Sequence, residues 1–406
     1  MTVRLGDQPW LTAPATRAVM AALEAAGGPG CARFVGGCVR NALIGAPVAD
    51  IDIATTLKPE ETDRAVRAAG LKAVPTGIAH GTVTAVSARQ PFEITTLRRD
   101  VSTDGRNATV AFTDDWAEDA ARRDFRLNAL YADGAGQVFD PTGDGVADAA
   151  AGRIIFVGDP GTRIEEDYLR ILRFFRFFAW YGRGEPDRAA LEACRALASG
   201  MTRLSAERVS KELMTLLTAP DPCEAMAAMT AAGVLAQILP EATTGPLFEA
   251  VVGLNSDPVV RLMTLLPVDE QVVTDAATRL RLPNATRDRL AASARAAPDV
   301  DPAMNDARVR AAVYRHGGRA VADALYRFWA GVPDDADGVR HRLALAEGWA
   351  RPPMPVGGRE LVRLGIEPGP ETGRLLKAFE DGWIADDFPS VGHAERLAAL
   401  ISASRG

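Results

Sequence analysis

The spacing of apolar and polar positions separates the chain into two regions of different character. In the first region, up to about residue 155, short stretches alternate apolar and polar residues with the period of two that is typical of half-buried strands. The stretches predicted as strands are Arg33–Val35, Asp50–Ala54, Leu71–Val74, Thr82–Ser87 and Phe92–Arg98. Helical segments lie between them, so we expect an α+β unit with a mixed sheet and flanking helices.

The second region, from Glu165 onward, shows almost no strand-like alternation. Ala, Leu, Arg and Glu dominate it, and Gly and Pro separate one helical stretch from the next. The first predicted helices are Glu166–Tyr181, Pro186–Ser199, Ala206–Thr218 and Pro222–Ala232. We therefore predict an α+β N-terminal head, residues 1–155, followed by an elongated all-α neck (156–220), body (221–300) and tail (301–406).

Composition and charge narrow the class of protein. The 406 residues are 47% hydrophobic and 24% charged, and no apolar run approaches the ~18 residues of a transmembrane helix. Met1–Trp10 lacks the basic-then-apolar order of a signal peptide, so we expect a cytoplasmic protein without membrane association. The net charge of −7 argues against coating of nucleic acid by bulk charge, so a nucleic-acid site would be a local basic groove. The four cysteines have no zinc-ligand spacing and are expected to be free thiols.

The first segment with candidate chemistry is FVGGCVR, residues 34–40. Gly36 and Gly37 follow a predicted strand and precede a predicted helix, so the backbone there can approach a phosphate closely. The start of the helix adds free N–H donors, and Arg40 adds a charged donor. The segment matches neither the GxGxxG fingerprint of dinucleotide-binding folds nor the Walker A pattern, so it indicates another kind of phosphate site.

Two acidic residues follow on the next predicted strand. Asp50 and Asp52 are two positions apart, so their carboxylates project from the same face, while Ile51 points into the core. Neighbouring carboxylates repel each other, which makes a cation their natural partner, and such a site suits Mg²⁺ together with substrate phosphates. Taken alone, an Asp-x-Asp pair is more often a solvated strand edge and a Gly-Gly pair a simple turn. Their combination in this order is more specific.

These motifs, with several that follow, resemble the polymerase-β-like nucleotidyltransferases, specifically the class II bacterial family of CCA-adding tRNA nucleotidyltransferases and poly(A) polymerases. The similar segments, in the family's order, are 36–40 with 50–52, RRDFRLNAL at 122–130, Asp140-Pro141 with Gly143, 166–173 and 207–213. The resemblance implies the fold class given above. It also implies a two-metal phosphoryl transfer that extends the 3′ end of an RNA.

The resemblance assigns catalytic roles to acidic residues of the head. Asp50 and Asp52 would hold the metal ions, expected to be Mg²⁺, which activate the RNA 3′-hydroxyl and neutralise the triphosphate. Glu93, in FEITT at residues 92–96, matches the family's third carboxylate, so the implied catalytic set is Asp50, Asp52 and Glu93. The alternative for Glu93 is an ordinary exposed strand residue.

The resemblance also implies a set of nucleotide-binding residues. In the head they are Gly36, Gly37, Arg40, Arg122, Arg123, Asp124 and Asn128. Asp124 and Asn128 are expected to bind ribose hydroxyls, while the arginines suit phosphates. The alternative for residues 122–128 is a helix N-terminus with a solvated, salt-bridged face. Further along the chain, Arg173 and Arg176 would line the nucleotide pocket or the RNA path.

Asp167 and Arg170 are the candidates for reading the base. They are three residues apart on a predicted helix and would share one face. Cytosine and adenine both offer an amino donor beside a ring-nitrogen acceptor, whereas uracil and guanine offer the reverse. A carboxylate acceptor beside a guanidinium donor therefore fits C and A and leaves U and G with unpaired polar groups. The alternative is a surface ion pair of little consequence.

The predicted function follows from these parts. It is the addition of C, C and A, from CTP and ATP, to the 3′ end of tRNA, with base recognition in the neck and tRNA binding in the tail. Residues 98–110 are polar and contain glycine, which predicts a mobile loop; in CCA-adding relatives the corresponding loop helps to switch the pocket from CTP to ATP. The alternatives are a poly(A) polymerase and a non-catalytic RNA-binding relative. No protein partner is evident.

Overall fold

The computed structural model describes residues 3–77, 81–104, 107–329 and 335–405. The chain divides into two units, Met1–Pro240 and Glu241–Gly406. The first unit contains the strands and the second consists of helices among the described residues. The predicted fold class, an α+β head followed by helices, is therefore confirmed.

The strands of the first unit form a seven-stranded mixed sheet and a separate two-stranded sheet. They are β1 Ala32–Val35, β2 Asp52–Thr55, β3 Lys72–Gly77, β4 Thr82–Ser87, β5 Gln90–Thr96, β6 Arg98–Asp104, β7 Asn107–Phe112, β8 Tyr131–Ala132 and β9 Val138–Phe139. The order in the large sheet is β3-β4-β5-β2-β1-β8-β9. Only the β2–β5 pair is parallel in this sheet as described, and its register places Asp52 beside Glu93.

The helices of the first unit cover the sheet and then continue beyond it. They are α1 Pro9–Thr12, α2 Pro14–Gly27, α3 Gly37–Ile44, α4 Pro59–Ala68, α5 Trp116–Ala121, α6 Gly145–Ala151, α7 Pro160–Glu166, α8 Leu169–Tyr181, α9 Arg188–Leu197, α10 Ala206–Leu217, α11 Cys223–Ala231 and α12 Val234–Ile238. On one face of the sheet Phe34, Ile53 and Ile94 are fully buried. Burying each such side chain contributes about 1.5–3 kcal/mol relative to exposure.

The opposite face of the sheet carries the polar residues. Because side chains alternate along a strand, Asp52 and Glu93 lie on the face opposite to Ile53 and Ile94. Farther along the strands, α5 covers this face, and the cluster there includes Val35, Ala54, Leu97, Ala120 and Tyr131. The positions of the two acids, at the start of β2 and in the middle of β5, stay accessible, because Asp52 is only half-buried and Glu93 is exposed.

Two segments differ from the sequence-based prediction. The single helix predicted for residues 166–181 is two helices, because Asp167 is extended, with φ −155° and ψ 105°, between α7 and α8. Its carboxylate accepts the backbone N–H of Leu169, the first residue of α8, at 3.1 Å, so the chain starts a new helix here instead of continuing the first. The polar segment predicted as a loop is the antiparallel pair β6–β7, although residues 105 and 106 lie outside the described residues. Cross-strand backbone pairing satisfies its donors and acceptors, which a loop would leave to water.

The second unit contains α13 Pro246–Val252, α14 Pro258–Leu265, α15 Glu270–Arg279, α16 Asn284–Ala296, α17 Asp306–His316, α18 Gly318–Tyr326, α19 Ala336–Gly348, α20 Gly358–Arg363, α21 Pro370–Ala385 and α22 His393–Arg405. One apolar core is built on α17, α18 and α19 and another on α20, α21 and α22. Asp323, which is 1% exposed, accepts hydrogen bonds from Nε and Nη2 of Arg289, each at 2.8 Å. In the described part of the chain, every helix is too short or too polar to span a membrane.

Candidate active site

The Gly-Gly segment is a sharp turn between β1 and α3. Gly36 has φ +69°, a left-handed conformation that a residue with a Cβ adopts only at a cost. Its N–H donates to Leu130 O at 3.1 Å, and α3 begins at Gly37. The turn therefore places backbone without side chains next to the N-terminus of α3, as the sequence predicts for a phosphate site.

The three predicted catalytic carboxylates border one cavity of about 300 Å³, which is lined by Asp50, Ile51, Asp52, Thr84, Pro91 and Glu93. Asp52 is the first residue of β2, so the prediction that Asp50 also lies within the strand is wrong. Asp50 is exposed in the extended segment just before the strand, while Ile51 is buried, so the alternation of sides still holds. Glu93 comes from β5, and the parallel pairing of β5 with β2 brings it to Asp52.

The carboxyl group of Asp52 is held in an unfavourable environment for a negative charge. Burial, together with the neighbouring charges of Glu93 and Asp50, raises its pKa to about 6 against the opposing effect of Arg123. The Cys38 thiol, on α3, donates to the backbone oxygen of Asp52 at 3.7 Å and so ties the Gly-Gly helix to this strand. A cation placed among these carboxylates would relieve their mutual repulsion.

Arg123 is fixed by buried partners. Its Nε and Nη2 donate to Asp119 Oδ2 at 3.2 and 2.9 Å, and its Nε also lies 3.2 Å from the hydroxyl of Tyr131. Asp119 in addition accepts Arg122 Nε at 2.9 Å. Burial acts to raise the pKa of the Asp119 carboxyl, but the two arginines outweigh it and hold the pKa at about 2. Asp119 therefore stays ionised and keeps both arginines in place.

Arg40 lies inside the protein, with only 6% of its surface exposed. It donates to the side-chain oxygen of Asn128, to Asn41 Oδ1 at 2.8 Å and to the hydroxyl of Tyr181 at 2.8 Å. Its guanidinium also lies 3.9 Å from the centre of the Tyr181 ring. Burial lowers the pKa of Arg40, against the influence of Tyr181 and Asp124. Arg40 thus holds Asn128 and Tyr181 from inside the protein, and little of its surface is open to a cavity.

Asp124, Arg173 and Arg176 continue this polar network into the helical part of the first unit. Asp124 accepts Arg173 Nε at 2.8 Å and the amide of Asn128 at 3.1 Å. Burial opposes ionisation of Asp124, but Arg173 overcomes it and holds the pKa at about 2. Arg176, on the same helix α8, pairs with Glu212 of α10. The structure therefore joins the predicted nucleotide-binding residues of the head and of α8 in one connected set.

Asp167 and Arg170 do not share a helix face, contrary to the prediction. Asp167 lies before α8 and pairs with Arg208 of α10 at 2.6 Å. Arg170 pairs with Glu166 and donates to Arg163 O at 2.6 Å. Asp167 and Arg170 are thus each paired with a different side chain. The contact between them is the backbone hydrogen bond from Arg170 N to Asp167 O at 3.0 Å.

Comparison with known proteins agrees with the motifs. Residues 32–155 match the family described as "Poly A polymerase head domain", and residues 185–244 match "Probable RNA and SrmB- binding site of polymerase A". The mitochondrial CCA tRNA nucleotidyltransferase 1 of Mus musculus is 33% identical over 375 residues, which cover 86% of this chain and 82% of that protein.

The chain belongs to the CCA-adding tRNA nucleotidyltransferase family.

Other members of the family support the match over the whole length. The CCA-adding enzyme of Limosilactobacillus fermentum is 29% identical and aligns with 92% of this chain and 94% of its own. The crystal structure of the Bacillus stearothermophilus CCA-adding enzyme in complex with CTP superposes with a TM-score of 0.73 at 23% identity, covering 97% of this chain and 98% of that one. At that identity the superposition establishes the shared fold.

The acids Asp50, Asp52 and Glu93 are the residues of this family member that could hold a metal ion. Among the described residues, no group of three or more His, Cys, Asp and Glu side chains is arranged to hold a metal ion by itself. The acids at the cavity nevertheless fit an ion that shares its coordination with a substrate, because Mg²⁺ is usually bound by one or two carboxylates plus phosphate oxygens. Burial, and after it the charges of Glu93 and Asp50, raise the pKa of Asp52, and a cation beside these acids would favour their ionised forms.

Several residues of the site escaped the sequence analysis of this family member. They are Asp119, Tyr131 and Tyr181. Asp119 had a local signal, since it precedes Arg122 and Arg123 by three and four residues. The two tyrosines had none, because their partners are distant in the sequence.

Proposed function

We propose that this chain adds C, C and A, from CTP and ATP, to the 3′ end of tRNA and releases pyrophosphate. The observation that carries the proposal is the group of carboxylates Asp50, Asp52 and Glu93 around one cavity beside the Gly-Gly turn, in a member of the CCA-adding family. A nucleotidyltransferase needs acids at the reacting phosphate and a backbone site for the remaining phosphates, and this chain has both in one unit.

Within the proposal, Asp50 and Asp52 hold divalent ions, expected to be Mg²⁺, and Glu93 completes the acidic set. When bound, such ions supply positive charge that favours ionisation of the RNA 3′-hydroxyl and offsets the charge of the triphosphate. The protein supplies the orientation. β2 and β5 hold Asp52 and Glu93 side by side, and α3 is tied to β2 through Cys38. The acids and the phosphate-binding turn therefore keep a fixed relation.

The nucleotide is proposed to lie between the Gly-Gly turn and the network of Arg123, Asp124 and Asn128. Two guanidinium groups border the turn, since Arg123 Nη1 would lie 3.7 Å from a Cβ on Gly36 and Arg40 Nη2 would lie 3.7 Å from a Cβ on Gly37. Arg40, which is buried, is proposed to hold Asn128 and not to touch phosphate, in contrast to the role that the sequence suggested. This division follows from burial and from the internal bonds of Arg40, because Asn41, Asn128 and Tyr181 engage most of its donors and few are left for a ligand.

Base selection is proposed to involve Asp167 and Arg170 at the junction of α7 and α8. Both side chains are partly exposed, 23% and 13%, and both are held by ion pairs that orient them. Asp167 accepts hydrogen bonds and Arg170 donates them, so the pattern that favours C and A persists although the two do not share a helix. Arg208 and Glu166 would then hold the two reading groups when no nucleotide is bound.

The roles of the helical segments also belong to the proposal. Residues 156–220 would read the base, residues 221–300 form a body, and residues 301–406 bind tRNA by shape and phosphate contacts, as suits A-form RNA. A cytoplasmic location stays a prediction of the sequence.

The experiment that tests the proposal uses the full chain with tRNA that lacks its 3′ CCA, labelled CTP and ATP, and Mg²⁺. We expect addition of C, C and A, after which extension stops. Long tails from ATP alone would show a poly(A) polymerase, and RNA binding without any addition would show a non-catalytic relative. Either result would refute the proposal.

A pair of matched variants connects the activity to the cavity. Asp50→Ala is expected to abolish addition while leaving tRNA affinity within about twofold, since Asp50 is exposed and supports no packing. Asp63→Ala removes another acid, one that pairs with Arg67 on the surface of α4, and should leave both quantities unchanged. If Asp50→Ala kept near-normal turnover, the metal assignment would be wrong.

A further inference from the structure

Asp119 is the most completely bonded carboxylate of the first unit outside the catalytic cavity. Its side chain is 1% exposed, so it meets neither solvent nor substrate. Oδ2 accepts Arg123 Nη2 at 2.9 Å and the Tyr131 hydroxyl at 2.7 Å. Oδ1 accepts Arg122 Nε at 2.9 Å and the backbone N–H of Arg98 at 3.3 Å. Both oxygens are therefore saturated, and the carboxylate cannot move without breaking several bonds.

The consequence for Arg123 is a fixed guanidinium plane. Its Nε and Nη2 are both engaged by Asp119, and Nε also by Tyr131, which leaves Nη1 without a hydrogen-bond partner among the described residues. That nitrogen is directed to the Gly-Gly turn, at 3.7 Å from the position of a Cβ on Gly36. Arg123 is also close enough to Asp52 for its charge to favour ionisation of that acid. One set of donors is thus anchored and the other faces the site.

We propose that Asp119, together with the hydroxyl of Tyr131, is a positioning residue that fixes Arg123 for contact with the triphosphate of the incoming nucleotide. The inference rests on the proposed function, since it assumes that a nucleoside triphosphate binds at the Gly-Gly turn. Asp119 acts through Arg123 and touches no reacting atom itself.

Stability alone does not account for this arrangement. A buried ion pair gains little over well-packed apolar side chains, because the desolvation of two charges offsets their attraction. Its distinctive property is direction, since a guanidinium gripped at two nitrogens presents its third in a defined orientation. Tyr131 contributes to the same end, because it is fully buried and its hydroxyl both donates to Asp119 and lies against Arg123.

The test is Asp119→Asn in the full chain, with nucleotide affinity measured by calorimetry for Mg·CTP and Mg·ATP and with steady-state addition to tRNA. We expect both affinities to fall about tenfold and the KM for both nucleotides to rise equally, with kcat within about threefold. The factors should be equal because CTP and ATP share the triphosphate that Arg123 contacts. Tyr131→Phe, a milder change, should shift both affinities by about two- to threefold in the same direction and decides the matter if Asp119→Asn fails to fold.

A double-mutant cycle separates positioning from general damage. In an Arg123→Ala background, adding Asp119→Asn should change the nucleotide affinities less than twofold, because the residue it positions is gone. Asp148→Asn is the matched control. Asp148 lies on α6, is also 1% exposed and pairs with an arginine, Arg153, at 2.8 Å. That control should leave nucleotide affinity unchanged.

The outcomes distinguish this inference from the proposed function. Affinities of Asp119→Asn within twofold of the wild type, unequal effects on CTP and ATP, or multiplicative effects of the two substitutions would overturn the positioning role. A wild-type chain that binds both nucleotides but adds none to tRNA would refute the proposed function and leave the inference standing. A wild-type chain that binds neither nucleotide would refute both.

Discussion

The ionised carboxylate of Asp52, which the proposed reaction needs, is expected to lower the free energy of unfolding of the first unit. The substitution Asp52→Asn keeps the shape of the side chain and removes its charge, so it should abolish nucleotide addition. In the absence of divalent ions the same substitution should stabilise the first unit. The reason is that burial and the nearby charges of Glu93 and Asp50 make the ionised form of Asp52 unfavourable in the folded state.

The magnitude and its pH dependence follow from the pKa. The folded state raises the pKa of Asp52 from 3.8 to about 6, and at 1.36 kcal/mol per pH unit this costs about 3 kcal/mol once the group is ionised. Below about pH 3 both states hold the proton and the cost vanishes. As the pH rises, the unfolded state releases its proton first, so stability falls until the pH passes about 6. About half of the cost is therefore present at pH 5 and all of it at pH 8.

Hydrogen exchange of backbone amides is the appropriate assay, because a chain of two units does not unfold in a single transition. Peptides that cover β1, β2 and β5 report the opening free energy of the sheet in the first unit. With a chelator present, Asp52→Asn should exceed the wild type by about 3 kcal/mol at pH 8 and by about half of that at pH 5. Added Mg²⁺ should narrow the difference at pH 8 by binding the wild type preferentially.

The control is Asp50→Asn, which alters an exposed carboxylate of the same cavity. Because Asp50 contributes less to the raised pKa of Asp52 than burial and Glu93 do, this variant should raise the opening free energy by less than about 1 kcal/mol. An Asp52→Asn protein that is no more stable than the wild type at pH 8 in chelator would refute the reasoning. A difference that does not depend on pH would assign the effect to packing and not to charge.

Two further substitutions test the neighbouring network. Arg208→Gln removes the partner of Asp167, so selection of CTP over UTP in competition assays should fall at least tenfold; unchanged selection would show that Asp167 does not read the base. Asp124→Asn leaves the part-buried Arg173 without its main partner and should lower the opening free energy of the first unit by about 3 kcal/mol, measured by hydrogen exchange, whereas a loss under 1 kcal/mol would show that the pair is replaceable.

The local patterns of the sequence were sufficient for the fold class and for the pair Asp50 and Asp52, whereas Glu93 was indicated only by the family resemblance. The period of two in residues 82–87 coincides with strand β4, and the Gly-Gly pair lies at a strand-to-helix turn. Such features depend on residues within a few positions of each other, so they can be read without knowing the fold. Where a single residue changed the local geometry, the pattern misled, as at Asp167, whose extended backbone separates two helices within a sequence of helical composition.

The sequence by itself determined which chemical groups are present: acids two positions apart, glycines at a turn, and arginines in the segments 122–130 and 166–173. The tertiary structure decided which of these groups meet. Glu93 reaches Asp52 only through the parallel pairing of β2 with β5, and Arg40 is buried against Tyr181. Pairing and burial depend on segments that are far apart along the chain, and the free energy of a charge depends on everything packed around it, so neither can be obtained from local spacing.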